Sequence, residues 1–286
     1  MAVNHAIFVL KDKMSYSFFD YQEFIFINGE KYHGQDYFGL THIVFMIIAT
    51  IALILLCVFL RKTSHKKVEI YLKVLAVLVP IIEVVKIVWE SYWDITVAGG
   101  FDFSGLLPIY TCSMFIYILP ISAFAKGKVK ECAISWLGTI CIFAGFTNFY
   151  LTQILHDYPF WTYATFTSLY FHFLMSFTGI FLLVTGYYKP KWIDVIKGYI
   201  PLLIFSVLVI PTNYYLTNLG YEPDYMLYMW GNGAPILPIW AKFFSENNLH
   251  FLYTLIVVVG YLILSALMVS IEKGIIYLSK RFKKVN

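Results

Sequence analysis

Six stretches of the chain, residues 37–60, 103–125, 132–156, 158–188, 198–221 and 247–271, contain no Asp, Glu, Lys or Arg. The shortest has 23 residues, and a helix needs about 20 predominantly apolar residues to cross the hydrocarbon core of a bilayer. The pattern predicts membrane-spanning helices, and the polar connections order them. Fifteen basic residues fall into four clusters: Arg61, Lys62, Lys66, Lys67; Lys126, Lys128, Lys130; Lys189, Lys191, Lys197; and Lys273, Lys280, Arg281, Lys283, Lys284. Between them lie 94–103, 156–161 and 217–249, which hold six acids, Asp94, Asp102, Asp157, Glu222, Asp224 and Glu246, against Lys242 as the one basic residue. Basic and acidic connections alternate throughout.

The positive-inside rule makes the basic clusters cytoplasmic, and the alternation then requires one more span between Arg61 and Asp94. That span is 69–93, absent from the charge-free stretches because it carries Lys73, Glu83, Lys86 and Glu90. The expected fold is an all-α polytopic membrane protein of seven transmembrane helices, near 37–60, 69–93, 104–125, 131–155, 162–187, 197–216 and 249–272. Its N-terminus is outside and its C-terminus cytoplasmic. Residues 1–36 form an external aromatic-rich segment, 37–272 the seven-helix membrane domain and 273–286 a basic cytoplasmic tail. Residues 1–36 lack a basic start followed by a sustained apolar stretch, so no cleavable signal peptide is expected.

Composition sharpens this picture. Of 286 residues, 60% are hydrophobic, 20% aromatic and only 13% charged, about half the charge of a soluble domain. A soluble enzyme, a nucleic-acid binder and a secreted disulfide scaffold are thereby excluded. The net charge of +4 is too small to imply an anionic polymer as partner. Cys57, Cys112, Cys132 and Cys141 all fall within predicted helices, so no disulfide framework is indicated. Lysine outnumbers arginine 19 to 2, a bias of AT-rich bacterial genomes, which points to a bacterial plasma membrane. The outer segments 1–36 and 217–248 are rich in Tyr, Phe and Trp, as interfacial belts or lids would be.

Polar groups at membrane depth are costly unless they face the bundle interior or water, so function is sought among them. Counting about 1.5 Å per residue from the outer helix ends, Glu83 and His172 lie roughly 15 Å deep, Cys112 about 12 Å, Lys86 and Asn148 about 10 Å and Asn213 about 5 Å. With His42 they are expected to line one cavity in the outer half. On the fifth helix Thr165, Ser168, His172, Ser176 and Gly179 form a small and polar stripe at steps of three or four, a pattern that ordinary helix contacts in membranes also produce. On the second helix, Lys86 can pair with one of Glu83 and Glu90 at helical spacing. The other then requires a different partner.

In the third helix, Leu107-Pro108-Ile109-Tyr110-Thr111-Cys112-Ser113 sets a thiol between hydroxyls one turn after a proline. A lone membrane cysteine is usually a small apolar filler. A thiol in apolar surroundings is inert unless a base takes its proton, and His172 at similar depth is a candidate. His and carboxylate pairs at i, i+4 are missing apart from Glu83 with its neighbours, so neither a metal nor a cofactor is expected, although His42, Glu83 and His172 could converge on a metal.

The stretch Leu107–Ser113, with Phe38-Gly39-Leu40-Thr41-His42, His172, Asn213-Tyr214-Tyr215-Leu216 and Gly233-Ala234-Pro235-Ile236-Leu237-Pro238-Ile239-Trp240, resembles the bacterial YwaF-like integral membrane proteins. Those are similar to a eukaryotic seven-helix transmembrane acyltransferase that moves fatty acyl chains onto ether lysophospholipids. The resemblance implies Cys112 as acyl-accepting nucleophile and His172 as its base. His42, Glu83, Lys86, Tyr110, Thr111, Asn148, Ser168 and Asn213 would line the cavity, with a phospholipid or lysophospholipid as partner. Where the family motif reads L-P-x-H-x-C-D, this chain has Tyr110 and Ser113 for the histidine and the acid.

Two classes of function stay open. One is an acyltransferase or acyl hydrolase, with Thr111 or Asn148 donating to the developing oxyanion. The other is a non-catalytic carrier or solute-binding protein using Glu83, Lys86, Glu90 and His172. A retinal protein is excluded, because residues 250–271 contain no lysine for a Schiff base.

Overall fold

The computed structural model describes residues 16–21, 25–27, 30–32, 39–98, 100, 106–150, 154–220, 243–244, 247 and 249–285. Segments 1–36 and 217–248 are thus described only in part. Phe38 and the Gly233–Trp240 loop, both in the motifs above, lie outside the described residues.

The chain is mostly helical. A small antiparallel hairpin, β1 (Phe26–Ile27) with β2 (Glu30–Lys31), precedes nine helices among the described residues. They are α1 (Leu40–Leu60), α2 (His65–Trp93), α3 (Met114–Phe124), α4 (Gly127–Gly138), α5 (Ile140–Tyr150), the single turn α6 (Ile154–Asp157), α7 (Tyr163–Val184), α8 (Ile193–Asn218) and α9 (His250–Val285). Five helical segments are long and apolar enough to cross a membrane: Leu40–Leu60, Gly127–Tyr150, Tyr163–Val184, Ile193–Asn218 and Phe251–Ser279. Helices also occupy the other two predicted positions. α2 is 29 residues long and interrupts its apolar run with charge, and α3 has only 11 residues.

Helix limits depart from expectation in places that have local causes. The third helix starts at Met114 rather than near 104. Pro108 has no N–H to donate and keeps Leu107 out of the helical region, so residues 107–109 run without helix and 110–113 form a turn. Cys112 therefore sits in that turn and not inside a helix; Cys57, Cys132 and Cys141 are helical, and all four thiols are free. The predicted fourth helix is broken at Thr139, where the backbone turns to φ −126° and ψ −89°. Residues predicted as a basic tail continue α9 to Val285. Nothing in 273–285 stops a helix beyond Gly274, and a cation such as Arg281 near the C-terminal end complements the helix dipole.

The chain divides into two compact units. One comprises residues 1–56 and 145–174, the other 57–144 and 175–286. In the first, Phe45 packs against Phe149 and Phe160, Phe18 against Tyr163, and Tyr32 donates to the Leu155 carbonyl at 2.8 Å. Along α1, Ile43, Ile47, Ile51 and Ile54 are exposed, as side chains facing lipid tails would be.

The second unit is built on α4. Residues 133–142 are buried without interruption, and Trp136, Phe115, Leu72, Met175 and Leu202 fill its core. α4 and α8 approach closely at Gly198, where a Cβ would stand 2.6 Å from Thr139 Oγ1. Tyr199 and Ser265 tie α8 to α9 by donating to the carbonyls of Val258 and Val195.

Within this unit the four basic clusters come to one end. Glu69, at the start of α2, accepts hydrogen bonds from Lys130 at the start of α4 (3.5 Å) and from Tyr187 just after α7 (3.4 Å). Lys197 on α8 pairs with Glu131 on α4, and Lys273 on α9 lies 5.6 Å from the Trp192 ring centroid.

Candidate functional site

Glu83, Lys86 and Glu90 lie on one face of α2 because of their i, i+3 and i+7 spacing. Lys86 Nζ stands 3.9 Å from Glu83 Oε1 and 3.5 Å from Glu90 Oε1, so one ammonium serves both carboxylates. The expectation that one acid would need a separate partner is corrected by this sharing, which costs no helix distortion because both spacings are helical. The second oxygen of Glu90 is buried with no hydrogen-bond partner among the described residues. The row continues at Asp94, where α2 passes into a π-helix over Asp94–Ala98. Wide turns of this kind recur at functional sites.

Cys112 belongs to the same unit. Its turn is pinned from both sides. Tyr117 Oη donates to the Pro108 carbonyl at 3.1 Å, and Tyr261 Oη on α9 donates to Thr111 Oγ1 at 3.0 Å. The carbonyls of Cys112 and Ser113 accept the amides of Phe115 and Ile116, which starts α3. The backbone N–H groups of Cys112 and Ser113 face the Cys112 sulfur, and Lys86 and Glu83 act on it electrostatically. The thiol is half-buried at the N-terminal end of α3. Tyr110 is half-buried in this turn, and Asn213 is fully buried on α8.

His172, His42, Asn148 and Ser168 belong to the other unit. His172 is buried on α7, and its Nδ1 lies 2.8 Å from the Ser168 carbonyl oxygen. A carbonyl only accepts, so Nδ1 carries the proton and the neutral ring presents Nε2 as its acceptor nitrogen. The stripe around His172 serves several ends. Thr165 donates to the Pro159 carbonyl at 2.9 Å, which is local capping. Gly179 allows α7 to press on Leu137 and Ile142, which is helix packing.

The second unit thus brings Glu83, Lys86, Glu90 and Cys112 together, beside Thr111 held by Tyr261, while His42, Asn148, Ser168 and His172 lie in the first. Tyr261 left no mark in the sequence, being one aromatic among many. A buried acidic pair at the basic end was equally unmarked. Asp194 accepts Ser135 Oγ at 3.1 Å and the Lys191 amide at 2.8 Å, and it acts electrostatically on Glu272. Glu272 is 2% exposed, with both carboxylate oxygens unpartnered among the described residues. Tyr188 lies beside both acids, and burial first, then their negative charge, push its phenol well above the usual range.

Residues 37–264 match the model of the TMEM164 family, a transmembrane protein family, and the chain belongs to that family. No curated protein and no solved structure matches it.

Proposed function

We propose that this TMEM164-family membrane protein is a lipid acyltransferase or acyl hydrolase in which Cys112 accepts the acyl group and His172 moves the proton. The observation that carries it is the setting of Cys112: a thiol outside regular helix, at the head of α3, facing two backbone amides and within the opposed fields of Lys86 and Glu83. The YwaF-like resemblance of the surrounding motif, and the likeness of that family to an ether-lysophospholipid acyltransferase, supply the substrate class. The Nδ1 bond to Ser168 supports His172 as base, since it leaves Nε2 free of a proton in the neutral ring.

In the proposed reaction His172 Nε2 takes the thiol proton while Cys112 Sγ bonds to the carbonyl carbon of a phospholipid ester. Thr111 Oγ1 or Asn148 Nδ2 donates to the developing oxyanion. The ester C–O bond breaks, and the lysolipid oxygen leaves with the proton held by His172. A second lysolipid hydroxyl, or water, then gives its proton to His172 as its oxygen bonds to the thioester carbonyl carbon, the C–S bond breaks, and His172 returns the proton to Cys112 Sγ. The host of this proposed reaction is a bacterial plasma membrane.

Incubated with alkyne-tagged phospholipid, the purified protein should acquire a hydroxylamine-sensitive label. Cys112→Ser should abolish it and His172→Ala should slow its appearance by about 100-fold or more, the usual contribution of a general base. Labelling that persists in Cys112→Ser would overturn the assignment. A specific observation favours a second reading, that of a carrier: the polar row Glu83, Lys86, Glu90, Asp94 leads along α2 into a π-helix. No label under any lipid supply, with a solute copurifying, would establish it.

A further inference from the structure

A groove of about 540 Å³ runs between α3, α4 and α8, wholly inside the second unit. Met114 and Ala133 form its buried floor, each 1% exposed, while Ile204 and Leu208 stand on its rim at 62% and 64%. The rim therefore faces the bilayer. From Ile200 to Leu208 the groove follows two turns of α8, about 12 Å at 1.5 Å per residue. Its lining is apolar except at the basic end of the unit, where Lys128 closes it in the first turn of α4, with Cys132 one turn deeper.

The charge at that end is uneven in a way that points to an anion. Lys130 is engaged by Glu69, and Lys197 by Glu131. Lys126 and Lys128 are exposed and form no ion pair among the described residues. Lys128 feels Glu131, which Lys197 already pairs, and so combines an exposed ammonium outside any ion pair with an apolar slot beneath it, at the end of α4 where the basic residues gather. A slot open sideways to a bilayer fills with what surrounds it, and polybasic residues at a membrane surface attract anionic lipids.

We infer that this groove holds one acyl chain of an anionic phospholipid from the leaflet on the basic side, with the lipid phosphate against Lys128. The site is distinct from the proposed acyl-transfer chemistry and stands or falls without it. Its lining, which includes Ile109 and Met114 on either side of Cys112, contains none of the residues assigned to that reaction.

Cys132 gives the test a readout within the groove. The full chain, reconstituted in phosphatidylcholine nanodiscs with or without phosphatidylglycerol, is treated with a membrane-permeant maleimide, the Cys132→Ser protein giving the background. Phosphatidylglycerol should slow Cys132 alkylation, and Lys128→Ala should weaken that protection about fivefold, the effect of one interfacial lysine. Phosphatidylglycerol bearing a diazirine on its acyl chain should cross-link to peptides around residues 114–133 and 200–208. Ile204→Trp, a change on a lipid-facing position, should fill the groove and abolish those cross-links, while Cys112→Ser should leave them intact. Equal protection by phosphatidylcholine, protection indifferent to Lys128→Ala, or cross-links as frequent on α1 as on α8 would each overturn the proposal.

Discussion

Glu272 and Asp194 are buried carboxylates in one neighbourhood with opposite degrees of support. Asp194 accepts hydrogen bonds from Ser135 and from the Lys191 amide, so Asp194→Ala should lower the detergent-solubilised Tm. The loss corresponds to about 1–3 kcal/mol for donors left buried without an acceptor. Glu272 has no such partners among the described residues. Glu272→Gln replaces a buried carboxyl that has no partner by an amide of the same shape that carries no charge at any pH, so the Tm should rise, by roughly 1 kcal/mol equivalent, most clearly in alkaline buffer. A fall in Tm for Glu272→Gln would mean that the carboxylate is satisfied by a cation. At this scale the sequence was informative about which residues were polar and silent about what they touched. Glu83, Lys86 and Cys112 were legible as polar groups at similar depth, and they do gather within one unit. Tyr261, which holds Thr111, is separated from it by 150 residues, and no periodicity links two such positions.

At the scale of elements, hydropathy located the five segments long and apolar enough to cross a membrane and misjudged helix ends. α2 was recoverable only because the alternation of loop charge demanded it. The delayed start of α3 follows from Pro108, whose effect on Leu107 is local and readable, yet a uniformly apolar stretch hides the consequence for Cys112. The stripe on α7 was ambiguous between function and packing because both need small residues, and Gly179 resolves to packing. A Cβ there would collide with the Leu137 carbonyl and Ile142 side chain, of which the carbonyl cannot swing away. Gly179→Ala should therefore cost about 1–3 kcal/mol, visible as a lowered Tm. Gly260→Ala on α9, with open space at its Cβ, should stay within about 0.5 kcal/mol. Equal tolerance of both would show that α7 and α4 do not pack at this contact.

For the whole molecule, the consequential feature is the gathering of the basic connections. The alternation of loop charge requires that Arg61–Lys67, Lys126–Lys130, Lys189–Lys197 and Lys273 share a side, an inference drawn from order along the chain alone. In the second unit, contacts from Glu69 to Lys130 and Tyr187, from Lys197 to Glu131 and from Lys273 to Trp192 join members of three clusters with Glu69, which follows the first cluster by two residues on α2. These are contacts between connections far apart in sequence, and hydropathy knows nothing of them. If the four lie at one end, the chain must return between each consecutive pair. Between Lys67 and Lys126 it can do so only by crossing along α2 and back through the segment that ends in α3, despite the charges of the one and the shortness of the other. The outcome expected is seven spans with the basic end in the cytoplasm. Reporter fusions at Gly100 and after Lys126 should then report opposite sides, with the C-terminus matching the Lys126 fusion. Matching signals at Gly100 and Lys126 would remove α2 and α3 as crossings and reduce the count to five. A C-terminal signal opposite to that of Lys126 would break the shared side on which the orientation depends.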